Sequence, residues 1–340
     1  MITMHFESPS RRAFELVTEA LREIDGYRAS KERSRLQIAQ EKLQRALQVD
    51  PGFFRASYYE AIVTDLAGKA KVAAAQLELL LQQNPPFADE VRYNLGVAYY
   101  HQYGRRHLDT AIGHLKQVIE GTKDRSLRLL ASAVLAQAYA MRTIQPDPDN
   151  PDPEDVESNA TNALEQCTLV DRELKALKST LDPMSQAEVA WTVRNARGMA
   201  LMYLTDYFPN DGEEKSRVAE KINKLEKAIK ELAEADKLSP RNWANYCDLG
   251  SAYMRRAFYR RSNEDFEKGS AYLLTVVSDL RPNYGFALYE LGRLNRLKGD
   301  FERSLEYFAR ALEVKEHRDV RDERVQREIT LAKERSKKYP

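Results

Sequence analysis

One spacing recurs along this chain and restricts it to a narrow class of folds. A small residue is followed four positions later by a large apolar one, and three positions after that by a small or apolar one. It reads Ala39, Leu43, Ala46; Ala73, Leu77, Leu80; Ala228, Leu232, Ala235; and Ser270, Leu274, Val277. Each of these copies meets a proline five residues further on, at Pro51, Pro85, Pro240 and Pro282. Three more copies lack the proline: Ala111, Leu115, Val118; Ala160, Leu164, Cys167; and Ser304, Phe308, Ala311. Offsets of four and three set the side chains on one face of a helix. The small residue lets a neighbouring helix come close, and the proline ends the helix and turns the chain.

A second pattern precedes several of these copies, with Leu-Gly or Leu-Ala three residues after its first position and usually Tyr three residues further. It runs from Arg92 through Leu95-Gly96 to Tyr99, and from Ser132 through Leu135-Ala136 to Tyr139. It returns from Tyr246 through Leu249-Gly250 to Tyr253, and from Leu288 through Leu291-Gly292 to Asn295. Glycine inside a helix costs about 1 kcal/mol against alanine. Its recurrence at one offset therefore predicts close contact between the two helices of a pair.

Together the two patterns resemble the two helices of the tetratricopeptide repeat, W-x2-L-G-x2-Y followed by A-x3-F and then P. Ala39 and Ala73 lie 34 residues apart, as do Ser270 and Ser304, which is the period of that family. The resemblance covers roughly residues 10–316, although the family's tryptophan is replaced by Arg92, Ser132, Tyr246 and Leu288. It implies an all-α superhelical solenoid of about seven helical hairpins. The repeats fall near 10–52, 53–86, 87–123, 124–172, 184–240, 241–282 and 283–317, with insertions at 102–106, 146–153, 206–214 and 260–265. A C-terminal capping helix and tail occupy 318–340, with Val325, Ile329 and Ala332 expected to face the last repeat and charged residues to face water.

Lys plus Arg number 53 and Asp plus Glu 52, for a net charge of +1. No global field argues for nucleic acid or an anionic membrane. Residues 1–7 lack the basic start and apolar stretch of a signal peptide, and the uncharged run at 129–141 is shorter than the roughly 18 residues of a membrane span. Cys167 and Cys247 stand far apart and imply neither a disulfide framework nor a metal quartet. A soluble, reducing, cytoplasmic setting is expected.

The inventory opposes catalysis, metals and cofactors. His5, His101, His107, His114 and His317 are the only histidines, and the spacings of the middle three fit no His-x3-His pair. Cys247 precedes Asp248 without a histidine in register, and the packing glycines form no phosphate loop. The acidic, proline-rich stretch 147–155 lacks the turn glycine of a calcium loop and reads as an extended hairpin tip.

In the tetratricopeptide family the first helices line a concave groove that grips peptides. Carried over by register, that groove would show Tyr58, Ile62 and Asp65, then Tyr93, Val97 and Tyr100, then Gln137 and Met141. Asn195, Met199 and Met202 follow, then Cys247, Ser251 and Arg255, and finally Tyr289, Arg293 and Arg296. It would be aromatic and apolar toward the N-terminal half and cationic toward the C-terminal end. Residues 251–261 hold Arg255, Arg256, Arg260 and Arg261 with Tyr253, Phe258 and Tyr259 and no acid. Guanidinium forks grip carboxylates, which makes an acidic segment or a free C-terminus a fitting ligand. The other reading is that these arginines are solvated or pair with Glu264, Asp265 and Glu290. The Lys/Asn/Arg arrangement with which family members clamp chaperone C-termini is not reproduced, since Asn94 stands alone. The expected function is a non-enzymatic protein–protein interaction module or scaffold that binds a peptide or partner protein. One alternative is a dedicated regulatory or sensor subunit controlling an effector enzyme on a separate chain. Another is RNA binding through Arg, Tyr and Phe of the sixth repeat, which the balanced charge opposes.

Overall fold

The structure, a computed structural model, describes residues 9–102, 104–143, 153–177, 179–205, 214–314 and 322–338. His5, His317 and nearly all of the insertions at 146–153 and 206–214 lie outside them. Every regular element among the described residues is helical. Contacts divide the chain into two units, 1–131 and 132–340.

The first unit holds three hairpins: α1 (Pro9–Ser30) with α2 (Arg33–Val49), α3 (Phe54–Leu66) with α4 (Ala70–Gln82), and α5 (Ala88–Tyr100) with α6 (Arg105–Gly121). The second helices α2 and α4 also pack on the next first helices, α3 and α5, while α3 touches α1 and α5. α7 (Arg125–Arg142) begins in this unit and ends in the second. There α8 (Pro153–Leu177) packs on α9 (Pro183–Tyr203), and α9 pairs with α10 (Lys215–Leu238). α11 (Trp243–Arg260) pairs with α12 (Asn263–Thr275), and α13 (Gly285–Lys298) with α14 (Phe301–Glu313). α15 (Asp322–Lys338) closes the series against α14 and α13. Among the described residues no helix is long and apolar enough to cross a membrane.

The second-helix spacing is the core. Ala39, Leu43 and Ala46, Ala111, Leu115 and Val118, and Ala228, Leu232 and Ala235 are all at 0% exposure. Burying each Leu contributes about 1.5–3 kcal/mol. First-helix glycines let these side chains in. A Cβ on Gly292 would lie 2.5 Å from the Phe308 ring, and one on Gly198 would lie 2.5 Å from Leu232 Cγ. The Gly198 contact belongs to the long fifth hairpin, where the repeated sequence pattern singles out no glycine.

The sixth repeat corrects the sequence register by one residue. Leu273 is buried, whereas Leu274 is 41% exposed, and the small residue at the contact is Gly269 instead of Ser270. The cause is a single π turn over Val276–Leu280, marked by Arg281 N donating to Val276 O at 2.7 Å. It takes up one extra residue before Pro282, so counting back from the proline overshoots the face.

Some helix starts carry side-chain caps. Asn242 Oδ1 accepts from Ala244 N at 3.0 Å and Asn245 N at 3.3 Å at the start of α11, and Asp182 precedes Pro183 at the start of α9. Asn242→Ala is expected to cost about 1 kcal/mol, read as a lower urea midpoint with unchanged slope.

Candidate functional site

In the first unit the first-helix positions form a partly open face. Tyr58 is buried, and its hydroxyl accepts from Asn94 Nδ2 at 2.7 Å. The same amide donates to Glu90 O at 3.1 Å, so Asn94 is fixed on α5 by two acceptors. Arg55 grips Glu90 with both arms, at 2.6 and 3.1 Å, and lies 3.9 Å from the Phe87 ring centroid. Both partners of that ion pair are about two-fifths exposed, which limits it to about 1 kcal/mol or less. Asp65 Oδ2 meets His101 Nδ1 at 2.8 Å. Ile62, Tyr93, Val97 and Tyr100 remain partly exposed. A cavity of about 660 Å³ lies at the hairpin connections, lined by Phe53, Phe54, Arg55, Pro85, Phe87 and Glu90 among others.

The histidine cluster has a packing explanation. His107 and His114 both stack on Tyr99, with centroids at 6.0 and 5.8 Å, and the Tyr99 hydroxyl donates to Glu78. Burial holds His114 below its ordinary pKa, helped by Arg92. Among the described residues no group of three or more His, Cys, Asp or Glu could hold a metal ion. Cys167 is fully buried, and burial pushes its thiol up to about 12, which removes the thiolate a nucleophile needs.

In the second unit most of the corresponding positions are buried, and some of them join a polar ladder. Gln137 Nε2 on α7 donates to Asn195 Oδ1 on α9 at 3.1 Å. Asn195 Nδ2 donates to Asp248 Oδ2 at 2.9 Å and to Asn245 Oδ1 at 3.3 Å, both on α11. Asn245 Nδ2 then donates to Leu232 O at 2.9 Å. All four side chains are buried, as is Met199 beside them. Burial pushes the Asp248 carboxyl up to about 7, against the pull of the Asn195 hydrogen bond. Further along α11, Ser251 Oγ meets Glu290 Oε2 of α13 at 3.4 Å.

The arginines are turned toward their own chain. Arg255, buried, donates to Thr205 O at 2.6 Å and Met202 O at 3.4 Å, with Tyr203 4.8 Å below its guanidinium. It therefore holds the carbonyl end of α9, where a cation is favoured. Arg256 donates side-on to Asp265 through Nε and Nη2, at 2.8 and 2.6 Å, and Arg260 pairs with Glu226. Arg261 ends α11 in the left-handed region, at φ 52°. On α13, Arg293 lies 3.6 Å from Glu290 and 3.4 Å from Glu328, and Arg296 lies 2.8 Å from Glu328. Tyr289 is buried 5.5 Å beneath Arg293, and burial pushes its hydroxyl up to about 12.

The structure thus gathers Asn195, Met199, Ser251, Arg255, Tyr289, Arg293 and Arg296 in the second unit, and Tyr58, Tyr93 and Tyr100 in the first. Sequence reasoning missed Asn245, Asp248 and Glu328 as members of these networks. Glu328 had a signal: it sits three residues after Val325 and four before Ala332, on the apolar stripe of α15.

This packing repeats from hairpin to hairpin. In α5, α9, α11 and α13 a first-helix glycine receives a large residue of the paired second helix. The repeat is tetratricopeptide-like. No protein-family model and no curated protein matches the chain. Solved structures that match include a tetratricopeptide repeat protein from Parabacteroides merdae, at 13% identity over 95% of this chain and 99% of that one, with a TM-score of 0.49. A thermophilic TPR protein of Thermus thermophilus matches at 18% identity over 72% and 98%, with a TM-score of 0.47. The TPR2AB domain of yeast Sti1 in complex with pHSP90 matches at 14% over 83% and 99%, with a TM-score of 0.28. What makes this chain's unit tetratricopeptide-like is its own internal packing, not its overlap with these structures.

Proposed function

We propose that this tetratricopeptide-like chain is a non-enzymatic protein-binding module that receives an extended segment of a partner on the first-helix face of α3 and α5. One observation carries the reading. Ile62, Tyr93, Val97 and Tyr100 stay partly exposed on that face, beside an Asn94 amide already held by Tyr58 and Glu90. Aromatic side chains on a rigid helical scaffold supply contact area at low entropic cost, and a fixed amide offers an oriented polar contact. Most of the second unit's register positions are buried, and Gln137, Asn195, Ser251, Arg255 and Arg296 are bonded or paired within the chain, so they hold helices together first.

The test begins by capturing partners of the tagged chain and identifying them by mass spectrometry. The purified partner is then titrated against wild type and against the Tyr93→Ala/Tyr100→Ala double variant. Loss of two central aromatic anchors should weaken binding by at least about tenfold, with helicity unchanged by circular dichroism. Equal affinity for the two chains would remove the α3/α5 face from consideration.

A further inference from the structure

α15 has an inner stripe that does not suit a plain capping helix. Its buried residues are Val325, Glu328 and Ala332, with Ile329 packed beside them. A carboxylate thus stands where the register calls for an apolar side chain. Two arginines one turn apart on α13 converge on it, Arg293 Nε at 3.4 Å from Oε1 and Arg296 Nη2 at 2.8 Å from Oε2. Their side chains are only 12% and 3% exposed, so nothing outside the chain reaches them while α15 is in place.

The helix is an imperfect ligand for this face. Arg296 Nε and Glu328 Oε2 are buried without an aligned hydrogen bond. α15 also brings its own cation toward the pair: burial, Arg293 and Arg335 together hold Arg296 below its ordinary pKa against the attraction of Glu328. Its outer face adds Arg324, Arg327, Lys333 and Lys337. Two guanidinium groups and a like-charged neighbour therefore share Glu328 and, through Arg293, Glu290. Buried ion pairs contribute little net stability but discriminate strongly between partners.

From this geometry we infer that α13 carries a carboxylate-binding face, that α15 occupies it in cis through Glu328, and that an acidic helical segment of a partner protein binds there by displacing α15. This face is separate from the α3/α5 face, and the two readings stand or fall independently. A displacing helix needs an acid at the Glu328 position, apolar residues flanking it as Val325 and Ile329 do, and acids in place of the arginines that α15 brings.

The probe is a fluorescein-labelled 17-residue peptide copying Asp322–Lys338 with Arg324→Glu, Arg327→Glu and Arg335→Glu. Its anisotropy is measured against the full chain, against Glu328→Ala, and against Glu328→Gln, which keeps the size of the side chain. Both variants should bind the peptide roughly tenfold more tightly than wild type, because the resident helix has lost its anchor. Arg296→Gln added to Glu328→Gln should abolish that gain. Hydrogen exchange on the full chain should show α15 amides losing protection in both variants and in wild type saturated with peptide, while α9 and α10 stay protected. Equal affinity for wild type and variants with unchanged α15 protection would make α15 a permanent cap and overturn the inference. So would absence of binding to any of the chains. Neither result bears on the Tyr93 and Tyr100 titration, which reports on the other face alone.

Discussion

Gly292→Ala is expected to destabilise the C-terminal hairpin by about 1–3 kcal/mol, although alanine is the better helix former. The added methyl would sit 2.5 Å from two carbons of the Phe308 ring. That ring is fully buried among Leu288, Tyr289, Leu291 and Val314, so it has little room to retreat. Phe308→Ala alone should cost about 3–5 kcal/mol through lost burial and the cavity left behind. The informative measurement is the cycle between the two. With the ring gone, Gly292→Ala meets no clash, and the helix preference of alanine, up to about 1 kcal/mol, is all that remains. The sign of the substitution should therefore reverse between backgrounds, a coupling far beyond the additivity of independent sites. Gly113→Ala in α6 is the control. It is exposed, with nothing within 4 Å of a new Cβ, and should stabilise by about 0.5–1 kcal/mol. Repeat arrays need not unfold in one step. Hydrogen exchange of α13 and α14 amides therefore accompanies the urea midpoints. A Gly292→Ala chain as stable as wild type in both backgrounds would show that the close approach imposes no constraint.

That contact also marks how far residue order alone reaches into the fold. The second-helix triplets are legible because each position is buried between the paired helices, where only size and polarity matter and the period of the helix fixes both. The glycines are legible for the same reason, since a residue that weakens a helix and still recurs must relieve a steric conflict. The sixth repeat slips by one residue because counting from its proline assumes an unbroken α-helix, and a π turn costs the chain one residue without leaving a mark in composition. The inner face is harder. Register alone puts Tyr93 and Cys247 at comparable positions on their first helices, yet Tyr93 is partly exposed and Cys247 is 2% exposed. The difference lies in what neighbouring helices place over each position, which residues within one helix do not encode. The Arg256 to Asp265 pair is within reach, because both residues stand in the short segment around the α11 to α12 turn. Arg255 is not, since its acceptors are backbone carbonyls fifty or more residues away.

Asp248→Asn should remove a pH dependence that the wild-type chain carries in its core. The carboxylate is buried in α11 and accepts from Asn195 of α9. Burial pushes its pKa up to about 7, whereas an aspartate in an unfolded chain titrates near about 3.9. Between those values the folded chain holds a proton that the unfolded chain has released. Stability must then fall as pH rises through this window, and it is least once Asp248 is ionised in both states. The contribution is full below about pH 4 and gone above about pH 7, opposite to that of a salt-bridged aspartate. Each pH unit across the window is worth about 1.4 kcal/mol, so the difference between pH 4 and pH 8 is roughly 2–4 kcal/mol. Asparagine keeps the acceptor that Asn195 needs and cannot ionise. Other carboxylates titrate over the same range, so the quantity to measure is wild type minus variant at pH 4, 6 and 8. That difference should be near zero at pH 4 and grow in favour of the variant at pH 8. A flat difference would mean that water or a neighbouring group already solvates the Asp248 carboxylate. Because Asn195 also accepts from Gln137, ionisation should loosen the whole ladder. The same pH step should therefore speed amide exchange in α9 and α11 of the wild type and leave the variant unchanged, making these enclosed first helices responsive to proton concentration through one side chain.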